Sequence, residues 1–239
     1  MFRHQGKART YRHNLQIASL LSFVAGIVNV AGFIAVQRLT TNVTGHFAFF
    51  VDEVFKLNFW QGFLYFLYIF FFFLGSFVSG LLVEIISRRN ETYIYVIPVI
   101  LESIILFSVA LLGPFLIAGN ANVLAFCLLF AMGLQNSLVT KISNAIVRTT
   151  HLTGLFTDLG IEISQLFFYT KKQQKEKLLS SIRLRVTIIS FFFLGGVIGG
   201  VLYSLMQLYV LAIGGMALLT GVIYDNLRIR LILLARKYT

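Results

Sequence analysis

Six long apolar stretches, with almost no charge inside them, leave this chain few possible folds. They run from about Leu15 to Val36, Trp60 to Ile86, Tyr93 to Ile117, Val123 to Ile146, Ile182 to Tyr203 and Leu205 to Tyr224. A helix that crosses the hydrocarbon layer needs about 20 apolar residues, so six crossings use roughly half of the chain and leave only short connections. Charged residues make up 12% of the chain and mean hydropathy is +0.84, which excludes a soluble globular domain. The expected fold is all-α: a polytopic membrane protein with six transmembrane helices.

The chain carries 20 Lys and Arg against 9 Asp and Glu, a balance that in a soluble protein would suggest nucleic acid. Placement argues otherwise. The cations gather at Arg3, Lys7, Arg9 and Arg12; at Arg88 and Arg89; at Lys141, Arg148, Lys171, Lys172, Lys175, Lys177, Arg183 and Arg185; and at Arg228, Arg230, Arg236 and Lys237. With six crossings these 18 fall on one side and only Arg38 and Lys56 on the other. Positive residues stay in the cytoplasm, so both termini are expected there, with no nucleic-acid partner. The first apolar run exceeds 20 residues and no small-x-small cleavage site follows it, so it reads as a retained helix rather than a signal peptide. The basic tail from Asp225 to Thr239 reads either as a continuation of the sixth helix, lying at the lipid surface, or as a solvated anchor.

The two halves repeat one another. Gly26-Ile27-Val28-Asn29 matches Gly133-Leu134-Gln135-Asn136, 107 positions on. Thr40-Thr41-Asn42-Val43-Thr44-Gly45 matches Thr149-Thr150-His151-Leu152-Thr153-Gly154, 109 positions on, and eight residues past each glycine stands a glutamate, Glu53 or Glu162. Phe71-Phe72-Phe73-Leu74-Gly75 with Gly80 matches Phe191-Phe192-Phe193-Leu194-Gly195 with Gly200, 120 positions on. Four matches in one order, at slowly growing spacing, mark a duplication into residues 1–118 and 119–239. Each unit holds three crossings, an odd number, so the second enters upside down and the pair forms two three-helix inverted repeats, a construction common among secondary transporters.

A first helix with Gly-x-x-Asn, a Thr-Gly turn, and a fourth helix running Ala131-Met132-Gly133-Leu134-Gln135-Asn136 into Arg148-Thr149-Thr150-His151-Leu152-Thr153-Gly154 resembles the YoaK-like family of bacterial inner-membrane proteins, domain of unknown function family 1275. The likeness covers nearly the whole chain. One departure is His46, which follows Thr44-Gly45 where the family usually has asparagine. The resemblance implies a multi-pass protein of the bacterial inner membrane and supplies no chemistry.

Chemistry has to come from the residues. Each threonine-rich hexapeptide ends in glycine and leads into an amphipathic stretch, which predicts a short half-helix whose threonine hydroxyls cap free N–H groups. After the second copy, Asp158, Glu162 and Gln165 form a polar stripe. Two electropositive half-helix ends facing one cavity would suit a solute; ordinary caps inherited from the duplicated ancestor are the plainer account. Asn29, Gln135 and Asn136 lie within crossings, where they serve either interhelical hydrogen bonds or a polar path. Glu102 lies about ten residues into the third crossing and is either a proton carrier or the partner of a buried hydroxyl or amide. His46 and His151 adjoin the hexapeptides, while His4 and His13 stand apart, and the four have no shared metal-ligand spacing.

The candidate pathway is therefore Asn29, Thr40, Thr41, Thr44, Gly45, His46, Glu102, Gln135, Asn136, Thr149, Thr150, His151, Thr153, Gly154, Asp158 and Glu162. Enzyme motifs are missing, no cofactor or metal site is expected, and the single cysteine, Cys127, excludes an intrachain disulfide. Two functions fit: a transporter or channel for a small polar solute, an anion among the candidates, or a non-transporting membrane scaffold that binds a partner. The glycine and serine pairs Gly75/Ser79, Ser76/Gly80, Gly195/Gly199 and Gly196/Gly200 allow close helix contact, either between the halves or across a homodimer. Pro98 and Pro114 mark either kinks in the third crossing or its ends.

Overall fold

The computed structural model describes residues 10–88 and 94–237, with side chains described through residue 227. The cations Arg3, Lys7, Arg9 and Arg89, and the side chains of Arg228, Arg230, Arg236 and Lys237, lie outside the described set. The elements are α1 (Tyr11–Val36), α2 (Thr44–Phe55), α3 (Phe59–Ser87), α4 (Val96–Ser143), α5 (Leu152–Gln165), α6 (Lys172–Met206), a 3-10 turn (Gln207–Tyr209) and α7 (Val210–Lys237). Four helical stretches are long and apolar enough to cross a bilayer: Tyr11–Val36, Phe59–Ser87, Val96–Ser143 and Lys172–Leu227.

Two of those stretches are too long for one crossing. At 1.5 Å per residue, α4 with its 48 residues would span about 72 Å, more than twice the hydrocarbon thickness of roughly 30 Å. It is interrupted at Asn120, whose backbone is extended (φ −159°, ψ 100°). The Asn120 side chain takes the backbone N–H of Asn122 at 3.0 Å, replacing one of the helical bonds lost there. The break therefore falls at a polar Gly-Asn-Ala-Asn segment, while Pro114 remains inside the helix. Between α6 and α7 the chain turns at Gln207 (φ 51°, ψ −134°). The basic tail continues α7 as helix, one of the two arrangements expected for it.

α1 is the central helix. Ile17, Ala18, Leu21, Val24, Ala25, Ile27, Val28 and Ala31 are all fully buried, so it is covered on nearly every side. α3 instead shows a lipid-facing stripe at helical spacing, Phe63, Phe66, Phe70, Phe73, Phe77, Leu81 and Ile85, opposite buried Tyr65, Tyr68, Gly75, Ser79 and Val83. Lipid tails are as apolar as these rings, so close packing rather than expulsion of water must hold the helices together.

Glycine provides that packing. A Cβ at Gly26 would strike the backbone carbonyl of Phe192, and one at Gly195 the carbonyl of Phe23, so α1 and α6 touch backbone to backbone. The counterpart of Gly26, Gly133, would strike the carbonyl of Phe72, and Gly75 the carbonyl of Phe130, joining the second arm of α4 to α3 in the same way. Further contacts set the direction: Phe23 meets Gly195 and Ile27 meets Gly199, while Ser76 meets Gly133 and Gly80 meets Ser137, so residue numbers rise together and both pairs run parallel. α7 runs antiparallel to the first arm of α4: Leu208 meets Gly113, and Gly214 meets Leu106. The glycine pairs thus join one half of the chain to the other, within a single chain.

Candidate functional site

Between α1 and α2, and again between α4 and α5, the chain doubles back on itself. α1 ends at Val36 in a left-handed residue, Gln37 (φ 53°), and α4 ends at Ser143 before two more, Asn144 (φ 53°) and Ala145 (φ 64°). These reversals bring each hexapeptide alongside the helix that precedes it. Thr40 donates to the carbonyl of Val28 at 3.1 Å, and Thr41 to Oδ1 of Asn29 at 2.7 Å. In the second half Thr150 donates to Oδ1 of Asn136 at 2.9 Å, the counterpart of the Thr41 bond. Gln135 donates through Nε2 to the carbonyl of Leu21 at 3.0 Å and to the hydroxyl of Thr149 at 3.1 Å, tying the second turn to α1. Thr40, Thr41, Thr149 and Gln135 are buried.

These bonds correct one expectation. The threonines do not cap the half-helices: neither α2 nor α5 has a side-chain bond from its N-cap residue, Val43 or His151. Thr40 and Thr41 are buried, so their hydroxyls donate to acceptors on α1 that still have a free lone pair, and Thr150 does the same to α4. Only Asn42 reaches the first turn of α2, accepting from the N–H of Gly45 at 3.4 Å.

The two turns border one cavity of about 370 Å³. Asn29, Thr41, Asn42 and Thr44 line it from the first half; Thr150, His151, Leu152 and Thr153 line it from the second, with Phe192 closing a side. Thr44 begins α2 and Leu152 begins α5, so both half-helices present their first turns to this space. First-turn N–H groups have no partner inside a helix and carry the positive end of its dipole, which makes such a cavity receptive to acceptor atoms and anions.

The remaining candidates lie apart from that cavity. His46 is buried at 1% exposure, with Nε2 2.5 Å from the carbonyl of Leu39 and its ring 4.7 Å from that of Tyr68. Gly154 carries the ring of His151, which a Cβ there would strike. His151 also lines a second cavity of about 460 Å³ with Arg148, Asp158 and Arg185. Asp158 and Glu162 are engaged by α6: Arg185 donates to Glu162 at 2.8 and 3.0 Å and to Asp158 at 2.8 Å, and Ser181 donates to Glu162 at 2.6 Å. Asn136 donates within its own helix to the carbonyl of Met132 at 2.9 Å. Glu102 is fully buried and neither carboxyl oxygen has a hydrogen-bond partner among the described residues.

Sequence reasoning passed over Arg38, Tyr68 and Arg185. Arg185 looked like one more cytoplasmic anchor, and only the acidic stripe on α5 signalled that a cation had to face it. Tyr68, whose hydroxyl is 2.5 Å from Oδ1 of Asn122, was hidden in an aromatic run.

Comparison with known proteins agrees with this architecture. The family described as a protein of unknown function (DUF1275) matches residues 17–224. The UPF0700 transmembrane protein YoaK of Bacillus subtilis (strain 168) is 28% identical over 192 residues, covering 80% of this chain and 84% of that protein. No solved structure matches. With the family match extending from the first crossing helix into the last, the chain belongs to the DUF1275 family and is a membrane protein.

Proposed function

We propose that this protein is a transporter or channel that carries a small polar solute, an anion first among the candidates, through the cavity between the two threonine turns. The observation that supports this reading is the meeting of Thr41 and Thr44 with Thr150 and Thr153 around one space of about 370 Å³. Inherited caps alone do not require two turns from opposite halves to converge. Six crossings, with α4 and the α6–α7 stretch each counting twice, and two inverted halves accommodate the convergence: the turns enter from opposite faces and stop at mid-depth. The parallel pairing of α1 with α6 and of α3 with the second arm of α4 supports the inversion, since parity reverses the second copy. The cationic bias supports an orientation with both termini in the cytoplasm, in a bacterial inner membrane.

Glu102 supplies the coupling in this reading. An intramembrane carboxyl, fully buried and with no partner among the described residues, is the group best placed to gain and lose a proton in a coupled step.

Reconstituted vesicles test the proposal. Flux of chloride, phosphate, acetate and a panel of amino acids is measured for the native chain and for Thr44→Val and Thr153→Val, which keep shape and remove a hydroxyl. Flux of at least one solute, reduced tenfold or more in both folded variants, is the expected outcome. A protein inert toward the whole panel leaves the partner-binding scaffold as the better account.

A further inference from the structure

A separate cavity of about 310 Å³ opens beside the first turn, walled by Phe33, Phe49 and Tyr65 and edged by Arg38 and His46. Phe49 and Tyr65 stack with ring centres 5.2 Å apart. Two buried nitrogens there have no partner among the described residues: Nε of Arg38 and Nδ1 of His46. The guanidinium is otherwise occupied, donating through Nη1 to the carbonyl of Gln37 at 3.2 Å and interacting with the Tyr68 hydroxyl. The imidazole geometry fixes its tautomer. Nε2 faces a carbonyl, which can only accept, so Nε2 carries the hydrogen and Nδ1 is left with a lone pair.

From this arrangement we infer that the cavity is a binding site for a monocarboxylic acid with an apolar or aromatic body. One carboxyl oxygen accepts from the Nε–H of Arg38; the other shares a proton with Nδ1 of His46; the body lies among Phe33, Phe49 and Tyr65. An unpaired donor and an unpaired acceptor, on two residues that edge one cavity, are each satisfied by the two oxygens of one acid. A plain cation fails at Arg38. An inorganic anion leaves the aromatic walls unused. The volume is at the lower end of small-molecule sites, about 300 to 1,000 Å³.

Binding takes up one proton. A free carboxylate and a neutral imidazole enter, and the complex holds the acid proton between the carboxyl and Nδ1, drawn from solution. The titratable and charged groups that face His46 are Arg38 on its own turn and Tyr65 and Tyr68 on α3. Neither tyrosine can take that proton, since each phenol already carries its own. Apparent affinity therefore falls about tenfold from about pH 7 to about pH 8, where free carboxylic acids and histidine are both unprotonated. The inference extends the transport reading by naming a substrate class, and rests on it for the site's role as a solute's first stop; binding itself stands alone.

The experiment is equilibrium binding of radiolabelled benzoate to the purified full-length chain in detergent, with benzylamine and acetate for comparison. Saturable benzoate binding that is at least tenfold weaker in Arg38→Gln, loses its pH dependence in His46→Gln, and exceeds acetate binding by a margin that Phe49→Ala removes is the expected result. Phe49 is about half exposed, so its truncation keeps the fold should the loop variants disturb it. Equal binding of benzoate and benzylamine, indifference to both Arg38→Gln and Phe49→Ala, or no saturation overturns the inference. The two readings fail differently. Benzoate binding without flux of any solute removes transport and keeps the site; flux reduced by Thr153→Val, with no benzoate binding, removes the site and keeps transport.

Discussion

The Thr41 hydroxyl donates to Oδ1 of Asn29 at 2.7 Å, and 107 to 109 positions later the Thr150 hydroxyl donates to Oδ1 of Asn136 at 2.9 Å. The same bond, built twice, holds each hexapeptide against the helix before it. Thr41→Val leaves an amide oxygen without its donor at membrane depth, and about 1–2 kcal/mol of stability is expected to go with it. Asn29→Leu with Thr41→Val removes both polar partners, so the double variant melts at a higher temperature than the sum of the single losses predicts. A strictly additive thermal-shift cycle in detergent would show that the bond is not coupled.

Gly26→Ala and Gly133→Ala each push a methyl group into a backbone carbonyl, of Phe192 and of Phe72. A carbonyl in a helix cannot rotate away as a side chain can, so the paired helices must separate, at a cost of roughly 2 kcal/mol or more. Gly160→Ala is the control: its Cβ meets nothing within 4 Å, and replacing a helical glycine gains up to about 1 kcal/mol. Thermal unfolding of the three variants should rank Gly160→Ala above the native chain and the other two well below it.

Arg185 holds α5 to α6 through both carboxylates of the stripe, with only 21% of its side chain exposed and 14% of that of Glu162. Arg185→Met strands a largely buried carboxylate, and the expected loss is about 2 kcal/mol, below the full figure for a buried pair because Asp158 stays half in solvent. Protease cleavage after α5 should quicken in this variant. Adding Glu162→Gln should restore part of the protection; no restoration would mean that packing, and not charge, joins the helices.

Glu102→Gln keeps the shape of the side chain and cannot ionise. If Glu102 carries the proton, flux in the variant loses its dependence on pH between about 5 and 8 while the protein remains folded. Flux that keeps the native pH profile confines Glu102 to a structural role.

Cysteine substitutions at Lys7, Arg89 and Lys175 should stay unlabelled by an impermeant reagent applied to intact cells, and one at Asn120, where α4 breaks, should react. Labelling at 175 from outside refutes the six-crossing arrangement.

Much of the architecture was legible because hydropathy is a property of one segment against one solvent. The runs around α1, α3 and α6 announced themselves, and the start of each half-helix, Thr44 and Leu152, fell within the hexapeptides. The recurring motifs were visible in the linear order too, since Gly26 and Gly133, or Thr41 and Thr150, recur at nearly constant spacing. What the linear order could not decide was pairing. α1 packs on α6 and not on α3, its neighbour in the half, because Gly26 and Gly195 are where two backbones can meet, and that match joins residues far apart in the chain. The threonines were expected to cap and instead bond Val28, Asn29 and Asn136, since a buried hydroxyl without water donates to the nearest acceptor with a free lone pair. The break in α4 at Asn120 lies in the gap already visible between the runs Tyr93–Ile117 and Val123–Ile146, while Pro114 stays inside the helix. Composition and periodicity determined that the chain is a helical membrane protein; only the tertiary structure decided which polar groups were left facing a cavity, because that depends on distances between segments that no single segment contains.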